Sequence, residues 1–211
     1  MSAEETKVSF PAEDGVSLEG RLAGKFDGEA WIICHPHPQY GGSMHNNVVL
    51  TARDVLLDLG KGTLRFNFRG VGASEGSFDD GRGEALDVEG AASHLRSEHG
   101  AKRVCVAAYS FGSRVFLGAL KRGLVIDRAA IISPPVSFLD FSPYDLPDGK
   151  SAIVVGEYDE FCRRADLDRW LEGQQEKGKD FELSVLTGVD HFFGGAEALL
   201  SETLRTALRG S

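Results

Sequence analysis

Two serines in this chain sit in glycine-rich surroundings where a hydroxyl can become a nucleophile. Ser74 centres the stretch Gly-Ala-Ser-Glu-Gly at 72–76, a literal G-x-S-x-G. Ser110 centres Ala-Tyr-Ser-Phe-Gly at 108–112, which departs from that pattern by the methyl of Ala108. A serine nucleophile needs a base within reach, donors for the oxyanion and exposure at a cleft mouth. A sharp strand–turn–helix supplies the exposure, so the motif counts only where a buried strand leads in and a helix leads out. Ser74 lacks both: its glycines run on into "EGSFDDGRG", which reads as a flexible turn. Ser110 has both, following the apolar "RVCVAAY" and preceding the helical "SRVFLGALKRG". The competing role for Ser110 is that of a helix cap.

The partners follow in the chain order serine, acid, histidine. "GEYDEF" places Asp159 beyond the end of one strand, and "TGVDHFFGG" places His191 beyond the next. Glu157, Glu160 and Asp190 compete with Asp159, although adjacency to His191 gives Asp190 poor geometry for its Nδ1. In the expected roles Ser110 attacks an acyl carbon, His191 shuttles the proton, and Asp159 fixes the imidazole tautomer. The backbone N–H of Phe111 supplies one oxyanion donor. The second is expected from "CHPHPQYGGSMHNN"; Pro36 and Pro38 have no N–H, which leaves His37 first, then Gln39 and Tyr40. His35, His37 and His45 lack a carboxylate or cysteine at ligand spacing, so no metal is expected, and His35 reads as a structural hydrogen-bonding residue.

Bulk properties narrow the partners. The 211 residues carry a net charge of −9 with no dense Lys/Arg stretch, which argues against nucleic acid. Cys34, Cys105 and Cys162 form neither a disulfide framework nor a C-x-x-C pair. "MSAEETKVSF" has no basic, apolar leader, and no segment has the apolar length of a membrane span, so a cytoplasmic protein is expected.

Elements that could position these residues recur as an apolar run, a glycine turn and a helical period. Strands are expected at "KVSF", "VSLEGRLA", "AWIICH", "TLRFNF", "RVCVAAY", "AAIIS", "SAIVVG" and "FELSVLT". The first two alternate in polarity like an antiparallel hairpin, whereas "WIIC", "VCVAA", "AAII" and "AIVV" suit parallel strands covered on both faces. Helices are expected over 47–59, over 83–100 with Leu86, Ala91 and Leu95 on one face, and over 113–123, 163–177 and 196–208. The proline-rich 134–150 reads as a loop that could fold over the site. Together these imply one α/β domain over 1–211: a doubly wound, mostly parallel eight-stranded sheet with an antiparallel N-terminal hairpin.

"HPHPQYGGSMHNNVV", "RFNFRGVGASEG", "AYSFGS", "GEYDEF" and "DHFFGG" stand in an order that resembles the α/β-hydrolase superfamily. Within it the chain is similar to the small cap-less bacterial serine hydrolases near dienelactone hydrolases and short-chain carboxylesterases. The resemblance implies an α/β-hydrolase fold without a cap domain and Ser110, Asp159 and His191 as the triad. It also makes the Ser74 stretch a loop. Ala108 stands where the group has glycine, and Ser110 where dienelactone hydrolases have cysteine. The expected activity is hydrolysis of a small carboxylic ester through an acyl-enzyme, without a cofactor. The alternatives are a thioesterase or peptidase on the same triad, or a silent binding module. A lidless pocket should be open and shallow. Its candidate walls are Tyr40, Phe111 and Phe138, with Phe141, Tyr144, Phe192 and Phe193. Exposed edge strands leave room for a homodimer.

Overall fold

The continuously apolar runs "WIIC", "VCVAA", "AAII" and "AIVV" form the middle of the sheet together with "GTLRF", which buries Thr63 and Arg65. They are β3 (Glu29–Cys34), β4 (Gly62–Phe66), β5 (Arg103–Tyr109), β6 (Ala129–Ile132) and β7 (Ser151–Gly156), buried along their lengths apart from Arg103. The half-wet hairpin, β1 (Thr6–Pro11) and β2 (Ser17–Ala23), forms one edge, and β8 (Phe181–Leu186) the other. The order is β1-β2-β4-β3-β5-β6-β7-β8; β1–β2 and β2–β4 pair antiparallel, and every later pair is parallel. The structure, a computed structural model, describes residues 4–209. Residues 1–3 of the segment read for a leader, and 210–211 of the expected domain, lie outside the described residues.

Alternate residues of β3, β5, β6 and β7 feed two cores. Val104, Val106 and Ala108 of β5 face α2 (Arg82–Ser97), α3 (Phe111–Lys121) and α4 (Arg164–Glu176). Cys105, Ala107 and Tyr109 face α1 (Asn47–Asp58) and α5 (Glu197–Leu208). The buried stripe of α2 is Ala85, Val88, Ala91, Ala92 and Leu95, with Leu86 only half-buried at its margin. The sequence-based face was therefore one residue off at its start. At Gly90 a Cβ would meet Ala12 Cα at 2.6 Å, so α2 rests directly on the turn after β1.

The β6–β7 connection contains no helix or strand, and no cap is inserted there. It is pinned to α4 instead. Leu146 N donates to Gln174 Oε1 at 2.8 Å, and Gln174 Nε2 donates to the Tyr144 carbonyl at 3.2 Å. Its first part reaches the sheet's C-terminal edge, where the loops after β3, β5, β7 and β8 also converge. Among the described residues no helix is long and apolar enough to cross a membrane.

Candidate active site

Ser110 is the single residue between β5 and α3, with φ 53° and ψ −123°. A positive φ strains a side chain with a Cβ by about 1–3 kcal/mol, held here because the flanking elements are both packed. Its N–H donates to the Ile132 carbonyl of β6 at 2.9 Å, fixing the turn to the sheet. Its Oγ makes no cap bond to α3; it lies 2.9 Å from His191 Nε2. The helix-cap role is thus excluded by where the hydroxyl goes.

His191 Nδ1 lies 2.9 and 2.8 Å from Asp159 Oδ1 and Oδ2. Donation of the Nδ1 proton to that carboxylate leaves the Nε2 lone pair facing Ser110. Asp159 is held from behind, its Oδ1 accepting the N–H groups of Phe161 and Cys162, each at 2.9 Å. All three residues are buried. The competing acids are used elsewhere or point to solvent. Asp190 Oδ1 accepts the N–H groups of Phe192 and Phe193, Glu157 accepts that of Gly188, and Glu160 is exposed. Tyr109, at the last position of β5, donates its hydroxyl to the His191 carbonyl at 2.9 Å; burial holds its phenol pKa above the ordinary value.

In the β3–α1 loop most N–H groups are spent on the loop itself. Gln39 N donates to His37 Nδ1, Tyr40 N and Gly42 N to the His37 carbonyl, and Gly41 N to the Pro38 carbonyl. Among the described residues the N–H groups of His37 and Phe111 have no protein acceptor, and both residues line the cleft over Ser110. Gln39 and Tyr40, the next candidates from the sequence, are thereby removed. The loop bends where the glycines allow: Gly41 has φ 80°, and a Cβ on Gly42 would overlap the Pro36 carbonyl. The short 3-10 turn Pro38–Tyr40, which no sequence period announced, is capped by the His37 ring.

The three histidines of this region take separate partners. His35 is fully buried, its Nδ1–H donating to the Pro36 carbonyl at 2.6 Å and its Nε2 accepting the Phe68 N–H at 3.0 Å. Burial brings its pKa down to about 4. The His37 ring packs on Phe111 at 4.6 Å, and burial keeps its pKa below the ordinary value. His45 Nδ1 faces Arg65 Nη1 at 3.4 Å. The cysteines are all free and buried.

Ser74 is not in a flexible turn. It is buried, its Oγ donating to the Asn67 carbonyl at 2.7 Å and accepting the Glu19 N–H at 3.0 Å. The flexible-turn reading failed because β2 runs alongside the loop and supplies partners distant in sequence.

The cleft above Ser110 encloses about 370 Å³. Tyr40, Phe111, Phe138 and Phe192 line it as expected, whereas Phe141, Tyr144 and Phe193 are core residues. Tyr109 and Phe161, which the sequence reading passed over, line it instead. Their signal was positional: Tyr109 precedes Ser110, and Phe161 lies two residues beyond Asp159. No Lys, Arg, Asp or Glu is among the residues lining this cleft.

A lidless, mostly parallel sheet carrying a strained serine, a histidine and an aspartate at its C-terminal edge defines the α/β-hydrolase class. No family model matches the chain. XC6422 from Xanthomonas campestris, a member of the α/β serine hydrolases without a lid, is 31% identical with a TM-score of 0.88, over 99% of this chain and 95% of that one. An α/β serine hydrolase homologue from Coxiella burnetii is 29% identical with a TM-score of 0.85, over 99% and 98%. The uncharacterized protein RP471 of Rickettsia prowazekii is 35% identical over 83% of this chain and 79% of its own length. The chain belongs to the α/β serine hydrolases without a lid.

Proposed function

We propose that this chain hydrolyses small carboxylic esters through an acyl-enzyme on Ser110, with His191 and Asp159 completing the triad and no cofactor. The observation that carries this reading is the continuous hydrogen-bonded path from Ser110 Oγ through the His191 ring to Asp159. Ser110 Oγ attacks the ester carbon while its proton passes to His191 Nε2. The negative oxygen of the tetrahedral intermediate takes the free N–H groups of Phe111 and His37. Collapse expels the alcohol, which receives the proton from Nε2. Water then attacks the acyl-enzyme with His191 again as base, releasing the acid and restoring Ser110. The residues 1–211 act as one domain on a small molecule, with neither nucleic acid nor membrane as partner.

A fluorophosphonate should modify Ser110, and Ser110→Ala should lose hydrolysis of short p-nitrophenyl esters. A screen over matched esters, thioesters and amides should favour the esters. No adduct at Ser110, with Ser110→Ala as active as wild type, overturns the reading.

A further inference from the structure

Three phenylalanines from three different loops converge beside the His191 ring. Phe161, after β7, lies 4.7 Å from it at 46°, and Phe192, after β8, 5.5 Å from it at 89°. Phe138, after β6, stands edge-on to Phe161 at 5.8 Å, and Phe192 does so at 6.2 Å. Their backbones are tied: Phe138 N donates to the Pro135 carbonyl, Phe161 N to Asp159 and Phe192 N to Asp190. Yet Phe138 and Phe192 are 63% and 61% exposed, large apolar rings held over a cleft with most of their area unpaired. Burying that area against a ligand is favourable, and an aromatic ligand adds edge-to-face or offset stacking.

The chemistry says which half of an ester meets this wall. His191 Nε2 returns its proton to the departing oxygen, so that oxygen must lie at the imidazole. Its substituent then runs along the groups flanking the ring. Charge narrows the choice further. With no Lys or Arg lining the cleft and a chain charge of −9, a carboxylate there would lose water without compensation.

Building on the ester-hydrolase reading above, we infer that the alcohol half of the substrate is an uncharged aromatic group seated against Phe138, Phe161 and Phe192. The test is kcat/KM of the full chain on benzyl acetate, its isomer methyl phenylacetate, the aliphatic match cyclohexylmethyl acetate, and 4-carboxybenzyl acetate. Benzyl acetate should exceed both the isomer and the aliphatic match by roughly threefold or more. The carboxylate should fall below benzyl acetate by roughly tenfold or more. Phe138→Leu and Phe192→Leu, exposed changes checked for folding by circular dichroism, should each draw the benzyl-to-cyclohexylmethyl ratio toward one. Ester hydrolysis with no preference for benzyl acetate, a preference for methyl phenylacetate, efficient turnover of the carboxylate, or a ratio untouched in both variants overturns the inference. Inactivity on all four esters together with no fluorophosphonate adduct at Ser110 overturns the hydrolase reading instead.

Discussion

A Cβ on Gly112 would lie 2.7 Å from the carbonyl oxygen of His35, so the first turn of α3 rests directly on the chain leaving β3. The corresponding position before Ser110 is different. The Ala108 methyl is buried in the core shared with Phe111 and Val115, where its volume is accommodated. The two small positions around Ser110 are therefore unequal. Gly112→Ala should cost about 1–3 kcal/mol, because backbone atoms cannot rotate aside. Ala108→Gly should cost only about 0.5–1 kcal/mol, the usual effect of glycine in a strand. Urea unfolding of the two variants checks this, and equal midpoints would contradict it.

Ser74→Ala should destabilise without moving the fluorophosphonate adduct from Ser110. The Ser74 hydroxyl joins Glu19 N–H to the Asn67 carbonyl, and the Asn67 side chain in turn accepts from Met44 N at 2.8 Å. Removing the hydroxyl leaves a buried donor and acceptor unpaired, costing about 1–3 kcal/mol. Peptide mapping after fluorophosphonate treatment should still find the adduct on Ser110. Its disappearance from a folded Ser74→Ala protein would show that the assignment of roles is wrong.

What the sequence made legible was whatever depends on local pattern. Runs such as "VCVAA" and "AIVV" announce β5 and β7 because a doubly covered strand has no polar face. Strand ends in a parallel sheet gather at one edge, so Ser110, Asp159 and His191 could be singled out together. Contacts made across the fold were not legible. Phe141 and Phe138 lie three residues apart in one loop, yet Phe141 packs on Trp170 of α4 while Phe138 stands in the cleft. No period exists in that loop to tell the two apart. The burial of Ser74 was illegible for the same reason, since its partner Glu19 is 55 residues away.

Tyr109→Phe should separate the placing of His191 from the wall of the cleft. The ring stays, but the His191 carbonyl loses the hydroxyl that it accepts at 2.9 Å. A buried carbonyl left without that partner costs about 1–3 kcal/mol, and the histidine loop loosens by the same event. Small displacements of a catalytic base lower the chemical step, so kcat should fall about tenfold with a smaller change in KM. Steady-state kinetics on a short p-nitrophenyl ester decide the matter; a variant altered in KM alone would place Tyr109 in binding.

His35 makes the fold sensitive to mild acid. Its Nε2 accepts the Phe68 N–H, so a proton there would point at another proton in a fully buried site. Burial accordingly brings its pKa down to about 4, although the bond to the Pro36 carbonyl acts in the opposite direction. An unfolded histidine titrates near its ordinary value of about 6.5. Between those values the unfolded chain binds the proton and the folded chain does not, so stability must fall as pH falls. The contribution is fully present above about pH 6.5 and is lost progressively on going down to about pH 4. A depression of this size corresponds to about 3 kcal/mol. The His35 share, read as the difference in unfolding free energy between pH 7 and pH 4.5 in the wild type minus that in His35→Gln, should be most of that amount. In His35→Gln, less stable at pH 7 but with nothing to titrate at this position, the difference should shrink. An undiminished difference would mean that other groups carry the acid sensitivity.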